Sequence, residues 1–147
     1  MTSIAEINKE RVRAFFKTLE AEDPKAVSEM FAEDGIHLNP YHCGVFPEGA
    51  KGPQGVYDYW APTFGLFDGM SFPIHEIYAM EGGEGVFVRY SGRIKLKDDA
   101  GWYENDYYST FKFNGQGKIT EYVEIFNPVT AARGFGLLGK LVTSPRQ

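Results

Sequence analysis

The apolar positions near the start of the chain repeat with helical spacing. Most of them lie three to five residues apart: Ile4, Ile7, Val12, Phe15, Phe16 and Leu19. This spacing predicts an amphipathic helix that ends near Glu22. Asp23 is a favourable N-cap and proline is tolerated at the first helical position, so a second helix is predicted from Pro24 to about Glu33.

Strand and helix alternate in the next segment. Asp34 and Gly35 end the second helix, and a short strand is predicted from Ile36 to Tyr41. A loop rich in Gly and Pro then runs from His42 to Pro53. A third helix is predicted from about Gln54 to Phe64. Its apolar residues fall on one side, which is predicted to be buried: Val56, Tyr57, Trp60 and Phe64.

From Phe72 onward the pattern is that of long β-strands. Four are predicted: Phe72–Met80, Gly85–Leu96, Tyr103–Phe113 and Lys118–Phe126. The joints between them contain residues that adopt tight turns, so the strands are predicted to form an antiparallel meander of three hairpins. The segment Val129–Val142 is apolar but interrupted by glycines, and we expect a weak helix or a packing tail.

This order of elements is that of an α+β fold, a cone-shaped roll with a cavity. Three N-terminal helices pack on a curved, mostly antiparallel sheet in such a fold. A length of 147 residues with 43% hydrophobic content fits a single domain, residues 1–147, with one core.

Charge and cysteine content restrict the possible partners. The net charge is −5 and Lys and Arg form no cluster, which argues against nucleic acid or an anionic membrane as a partner. No stretch approaches the length of a membrane span, and the first residues lack a signal-peptide pattern. Cys43 is the single cysteine, so no intramolecular disulfide can form. We therefore expect a cytoplasmic location.

Aromatic residues make up 16% of the chain. This exceeds what a core of this size needs and indicates a cavity lined by rings, since a Tyr ring suits a pocket wall. The alternative is that tyrosines cover the strand surfaces, where they have good β-propensity.

A carboxylate interrupts the apolar pattern of the last predicted strand. Tyr122, Glu124 and Phe126 alternate onto one face, so Glu124 lies between two rings. Burial of this face would disfavour the charged carboxylate and raise its pKa towards neutrality, as acid–base chemistry requires. Glu124 is therefore the first candidate catalytic residue. The alternative is a solvated face on which Glu121 and Glu124 both meet water.

The short first strand supplies further candidates. His37, Asn39 and Tyr41 alternate onto one face. If that face is concave, His37 is the best second proton carrier, and Asn39 or Tyr41 could orient a carbonyl. Otherwise His37 is a structural residue. The residues expected to hold the substrate are Asn39, Tyr41, Trp60, Tyr107, Tyr122 and Phe126.

Other chemistries have poor residue spacing. His37, His42 and Cys43 are close in sequence but lack a second pair of ligands, so no metal site is predicted. Ser109 and His75 lack the glycines of a nucleophile elbow, which argues against a hydrolase triad.

Several motifs resemble a known superfamily. The element order and the segment Phe31-Ala32-Glu33-Asp34-Gly35 resemble the nuclear transport factor 2-like superfamily, which includes ketosteroid isomerases and SnoaL-like polyketide cyclases. Later motifs are similar to the phenazine biosynthesis A/B proteins: Ser91-Gly92-Arg93, Tyr103-Glu104-Asn105-Asp106-Tyr107, Gly117-Lys118-Ile119 and Glu124-Ile125-Phe126-Asn127-Pro128. The resemblance implies that Glu124 is a pocket general acid for condensing or isomerising a small cyclic substrate, without metal or organic cofactor.

The chain also departs from these relatives. The Arg and the His that the phenazine proteins carry in their second and third helices have no counterpart in the corresponding segments. At the positions of the ketosteroid isomerase base and oxyanion donor, alignment places Asn39 and Phe15. An amide does not titrate and Phe has no donor, which argues against a steroid-isomerase mechanism of that design.

The outer face of the sheet is expected to be polar and to form a dimer. Basic residues of one strand are predicted to pair with acids across the hairpins: Arg89, Arg93 and Lys95 with Glu104 or Asp106. So large a sheet surface, bearing rings such as Tyr108, favours a two-fold homodimer, and the resemblance implies the same.

The sequence predicts a cofactor-independent isomerase, cyclase or condensing lyase of secondary metabolism. It would use acid–base catalysis on a hydrophobic cyclic or polyketide-like molecule. An alternative is a non-catalytic binding or carrier module in which Glu124 anchors a polar group. A purely structural dimerisation domain, the third possibility, predicts a filled cone.

Overall fold

The computed structural model describes residues 1–143. The helices within this range are α1 (Ile4–Glu20), α2 (Pro24–Glu29), α3 (Gly52–Phe64), α4 (Pro128–Gly134) and α5 (Leu138–Thr143). The strands are β1 (Phe31–Leu38), β2 (Gly49–Lys51), β3 (Phe67–Ser71), β4 (Ile74–Ala79), β5 (Gly85–Leu96), β6 (Trp102–Phe113) and β7 (Ile119–Phe126).

The first two helices begin at side-chain caps, and the cap of the second, Asp23, was predicted from the sequence. The hydroxyl of Ser3 accepts from the backbone N–H of Glu6 at 3.2 Å, which satisfies one of the free donors of α1. The carboxylate of Asp23 does the same for Ala26 at 3.0 Å, with Pro24 in the first helical turn of α2.

The second helix ends earlier than predicted. It stops at Glu29 and β1 begins at Phe31, so the predicted helix to Glu33 and the predicted strand start at Ile36 are both wrong. The cause is a long-range pairing, because Phe31 lies opposite Ile119 in a parallel ladder and its ring is buried. Local helical preference is overridden by this tertiary contact.

The strands form one sheet in the order β2-β1-β7-β6-β5-β3, with β4 also paired to β5. The predicted meander of three hairpins is confirmed for β4 to β7. The parallel β1–β7 pair brings the two strands that carry His37 and Glu124 side by side. The short strands β2 and β3 were not predicted, and the strand predicted from Phe72 begins at Ile74.

Aromatic rings fill the space between α1 and the sheet. Phe15 lies 5.0 Å from Tyr122, and Phe16 lies 4.3 Å from Tyr90, measured between ring centroids. All four side chains are almost fully buried. Phe15 therefore acts as a core residue of α1.

The outer face of the sheet carries ion pairs between strands. The predicted pair of Arg93 with Glu104 is present, with N and O atoms 2.7 Å apart. Arg89 pairs instead with Glu76 of β4, and Lys95 with Asp68 of β3. Both acids lie on strands that pair with β5 on the side away from β6. No helix within residues 1–143 is long and apolar enough to cross a membrane.

Candidate active site

A cavity of about 460 Å³ opens between the concave face of the sheet, α3 and α4. Its wall is mostly apolar and aromatic. The lining residues are Leu19, Asn39, Phe46, Pro47, Tyr59, Trp60, Thr63, Leu66, Phe67, Met70, Phe72, Tyr90, Ile94, Tyr103, Tyr107, Glu124, Phe126, Ala131, Phe135 and Leu137. The size and lining are typical of a site for a small organic molecule.

Glu124 lines this cavity from β7. Its side chain keeps some accessible surface, yet it lies deep in the protein, because that surface faces the cavity. Loss of water raises the pKa of Glu124 to about 7, although the hydrogen bond from Tyr122 opposes the rise. Both protonation states are therefore populated near neutral pH, which allows the group to accept and return a proton.

A row of hydroxyl groups supports the Glu124 carboxylate from behind. Tyr122 Oη donates to Glu124 Oε2 at 2.7 Å. Tyr122 Oη in turn lies 3.3 Å from Tyr90 Oη, which lies 2.9 Å from Ser109 Oγ. Because Tyr122 and Ser109 are almost fully buried, this row fixes the orientation of the carboxylate without contact with bulk water.

A second polar group on the cavity wall comes from β6. Tyr103 Oη and Tyr107 Oη are 2.9 Å apart, and Asn105 Nδ2 donates to Tyr103 Oη at 2.8 Å. Burial raises the pKa of Tyr103 to about 12 and that of Tyr107 well above its ordinary value. Both phenols therefore keep their protons at neutral pH.

Asn39 and Tyr59 form a third polar group at the cavity. Asn39 Nδ2 donates to Tyr59 Oη at 3.0 Å and to the carbonyl oxygen of Pro47 at 2.9 Å. Since the Pro47 carbonyl only accepts, the amide orientation of Asn39 is fixed. Burial raises the pKa of Tyr59, and Glu124 adds to this, so Tyr59 also remains protonated.

His37 does not line the cavity, contrary to expectation. Its ring is fully buried, 4.6 Å from the Tyr122 ring and 4.8 Å from the Tyr59 ring. Burial lowers the pKa of His37 to about 3, and the adjacent Asn39 side chain opposes this only in part. Neither ring nitrogen has a hydrogen-bond partner of good geometry among the described residues. His37 is thus neutral and enclosed by rings at pH 7.

The other expected site residues divide into three positions. Asn39, Trp60, Tyr107 and Phe126 line the cavity. Tyr122 is one layer behind the wall and reaches the site through Glu124. The expectation for Tyr41 is wrong, because β1 ends at Leu38 and Tyr41 lies in the following turn with 54% of its surface exposed.

Three tyrosines of the cavity were missed from the sequence. Tyr59 was overlooked because the apolar pattern of α3 singled out Tyr57, which is exposed. Tyr103 lies four residues before Tyr107 on the same face of β6, and Tyr90 shares a face with buried valines of β5. The two-residue alternation of each strand carried this signal.

Solved structures with the same fold are numerous, and three illustrate the range. A phenazine biosynthesis-related protein from Pseudomonas aeruginosa has a TM-score of 0.78 and 20% identity, over 98% of this chain and 86% of that chain. BvnE pinacolase from Penicillium brevicompactum has a TM-score of 0.79 and 13% identity, over 95% and 99%. An LEH-like epoxide hydrolase from M. tuberculosis has a TM-score of 0.69 and 21% identity, over 93% and 96%.

Sequence comparison gives a family but no individual relative. No match to this chain is found among curated proteins. The model of the SnoaL-like domain matches residues 12–122, which is most of the chain. The order of helices and strands agrees with this match, since the curved sheet and its packed helices form the cone of the nuclear transport factor 2-like superfamily. The chain therefore belongs to the SnoaL-like domain family.

Proposed function

We propose that this protein is a cofactor-independent isomerase or cyclase that acts by acid–base catalysis on a hydrophobic ring-bearing molecule. Glu124 is the group that takes a proton from the substrate and returns it. The observation that carries the proposal is a carboxyl with a pKa of about 7 in an aromatic cavity. Family membership supports it, as do similar folds described as a pinacolase and an epoxide hydrolase.

The geometry suits proton transfer at carbon. As a carboxylate, Glu124 accepts a proton from a carbon next to a carbonyl group, and the electron pair moves onto the carbonyl oxygen. The protonated Glu124 then returns the proton to a different carbon, or to the alkoxide formed when the carbon attacks a second carbonyl. Hydroxyl groups of the cavity wall stabilise the negative charge that develops on the carbonyl oxygen. They do this better than mobile water because they are held in place before the reaction.

Exchange with solvent deuterium tests the role of Glu124 without knowledge of the natural substrate. The probe is 2-tetralone, a ring ketone with exchangeable hydrogens next to its carbonyl. We expect the wild-type protein to accelerate deuterium uptake from D₂O, and Glu124→Gln to lower that rate by about 100-fold or more. The amide keeps the volume of the side chain but does not titrate. Mass spectrometry of the recovered ketone gives the rate.

Glu121→Gln is the matched control for this variant. Glu121 lies three residues earlier on β7 and pairs with Lys112 instead of facing the cavity. Its substitution should leave exchange unchanged. An exchange rate for Glu124→Gln equal to that of the wild type would show that Glu124 is not the catalytic group.

The second candidate function is a binding or carrier module. The position of His37 favours it, because the second proton carrier expected from the sequence lies outside the cavity. A carrier would bind 2-tetralone, but neither the wild type nor Glu124→Gln would accelerate deuterium exchange. The substitution would change only the affinity for the ketone. The same experiment therefore separates the two functions.

We also propose that the protein forms a two-fold dimer through the outer face of the sheet. Exposed rings at this face support the proposal: Tyr78, Trp102 and Tyr108 are each about half exposed. Tyr108→Arg on this face should convert dimer to monomer in sedimentation velocity, because the contact would have to bury an unpaired charge from each protomer. A Tyr57→Arg control on α3 should leave the mass unchanged. A monomeric wild type would contradict the proposal.

A further inference from the structure

Two tyrosines that line the cavity have one hydroxyl hydrogen for which the described residues offer no hydrogen-bond acceptor. Tyr103 Oη and Tyr107 Oη share a hydrogen bond of 2.9 Å, in which only one hydroxyl can donate. Each phenol has a single hydrogen. Whichever of the two donates, the other hydroxyl is left without an acceptor among residues 1–143.

The neighbouring amide cannot take up this spare proton. Asn105 Nδ2 donates to Tyr103 Oη at 2.8 Å and to the carbonyl oxygen of Asn127 at 3.0 Å. Asn105 Oδ1 accepts from the backbone N–H of Asp106 at 2.9 Å. These three bonds fix the amide so that it donates to the tyrosine pair, and the pair has one donor in excess.

The rings of the pair are held in place by packing. The Tyr103 ring lies 4.5 Å from Phe135, and the Tyr107 ring stacks on Tyr90 at 5.0 Å. Gly134 permits this contact, because a Cβ there would come within 2.8 Å of the Tyr103 ring. Both tyrosines are 5% exposed and both line the cavity. The spare donor is therefore rigid before any ligand arrives.

The charge of the cavity restricts what can accept this proton. No Lys, Arg or His is among the lining residues of the described chain, and Glu124 carries the single carboxyl group among them. A carboxylate or phosphate ligand would lose its water without gaining a compensating cation, and Glu124 would repel it unless that group is protonated. An uncharged oxygen meets no such repulsion.

We propose that the Tyr103–Tyr107 pair is a binding site for an uncharged acceptor oxygen, such as a carbonyl or cyclic ether, so that the ligand is a neutral oxygenated ring compound and not an acid. The inference rests on the proposed function in that it assigns the ligand class of the same cavity. It requires binding only, so it is tested without turnover.

Three compounds of matched shape serve as probes: 9-fluorenone, fluorene and fluorene-9-carboxylate. The ketone offers an uncharged acceptor, the hydrocarbon offers none, and the third carries a negative charge. Titration calorimetry measures the affinities, and infrared spectroscopy measures the carbonyl stretch of bound 9-fluorenone. We expect the ketone to bind about tenfold more tightly than the hydrocarbon, with its carbonyl band at lower wavenumber than in an apolar solvent. The carboxylate should bind most weakly.

The proton count predicts an unusual pattern among variants. Tyr107→Phe leaves the hydroxyl of Tyr103 free to donate, and Tyr103→Phe leaves that of Tyr107, so each single variant should keep a shifted carbonyl band. The Tyr103→Phe/Tyr107→Phe double variant has no donor at this pair, and it should bind ketone and hydrocarbon equally with an unshifted band. Tyr41→Phe, outside the cavity, is the control.

Several results would overturn the inference. These are an unshifted band in the wild type, a shifted band in the double variant, tighter binding of the carboxylate than of the ketone, or no binding of 9-fluorenone. The persistence of fluorene binding and of the circular dichroism spectrum shows that the double variant is folded. Failure of the proposed function would show as an exchange rate for Glu124→Gln equal to that of the wild type. That result would leave these binding results unchanged.

Discussion

At the scale of single residues, the carboxyl group of Glu124 is held by Tyr122, whose ring stacks on His37. One face of the Tyr122 ring packs on the buried His37 ring, while its hydroxyl donates to Glu124. Glu124 thus has one fixed donor and an otherwise dry environment. The balance of these two effects sets its pKa near neutrality.

Tyr122→Phe tests this balance. The hydrogen bond from Tyr122 favours the charged carboxylate, so its removal should raise the pKa of Glu124 further. The carboxylate form accepts the proton, and the pH at which deuterium exchange reaches half of its maximal rate should therefore move upward by about one pH unit or more. The pH profile of 2-tetralone exchange measures this. Tyr41→Phe should leave the midpoint in place, and an unchanged or lower midpoint for Tyr122→Phe would contradict the assignment.

At the scale of elements, the long strands were predictable and the short ones were not. The two-residue alternation in β5, β6 and β7 extends over eight or more positions, so it placed Glu124 between Tyr122 and Phe126 on one face. The strands β2 and β3 have three and five residues, too few for a period to appear. Their positions depend on partners distant in sequence, which local pattern does not contain.

The start of β1 shows the same limit and explains the two errors in the first strand. Its parallel pairing with β7 extends the strand back to Phe31 and ends it at Leu38. The chain then turns, which exposes Tyr41 and leaves Asn39 as the last residue of this segment at the cavity. The alternation of His37, Asn39 and Tyr41 held only while the strand continued. The enclosure of His37 comes from rings of α3 and β7, which no local pattern of β1 reveals.

At the scale of the whole molecule, two buried groups give the stability opposite pH dependences. The pKa of Glu124 is raised from 4.5 to about 7, so the stability it contributes is complete below pH 4.5 and is lost as the pH rises through 7. The pKa of His37 is lowered from 6.5 to about 3, so its contribution is complete above pH 6.5 and is lost as the pH falls through 3. Between pH 4.5 and 6.5 the two slopes oppose each other.

Two variants should separate these slopes. In urea unfolding, Glu124→Gln should become more stable relative to the wild type between pH 5 and pH 8, by about 3 kcal/mol at most. His37→Phe should gain stability relative to the wild type between pH 6.5 and pH 4, because Phe does not titrate and folding no longer has to keep a buried ring unprotonated. The variant also leaves no unpaired nitrogen in the core. Glu121→Gln is the control for both. Unfolding free energies that run parallel to the wild type at all pH values would show that neither group is perturbed by burial.

The division of labour between helix and sheet has a practical consequence for engineering. Every polar group on the cavity wall comes from the strands, from α3 or from the turn at Asn39, whereas α1 contributes Leu19 alone. Of the other buried side chains of α1, Val12, Phe15 and Phe16 pack in the core, and Asn8 donates to the carbonyl oxygen of Gly83 at 2.9 Å. Substitutions in α1 that keep its buried side chains could therefore change the thermal stability of the protein, and the ligand specificity of the cavity would be unchanged.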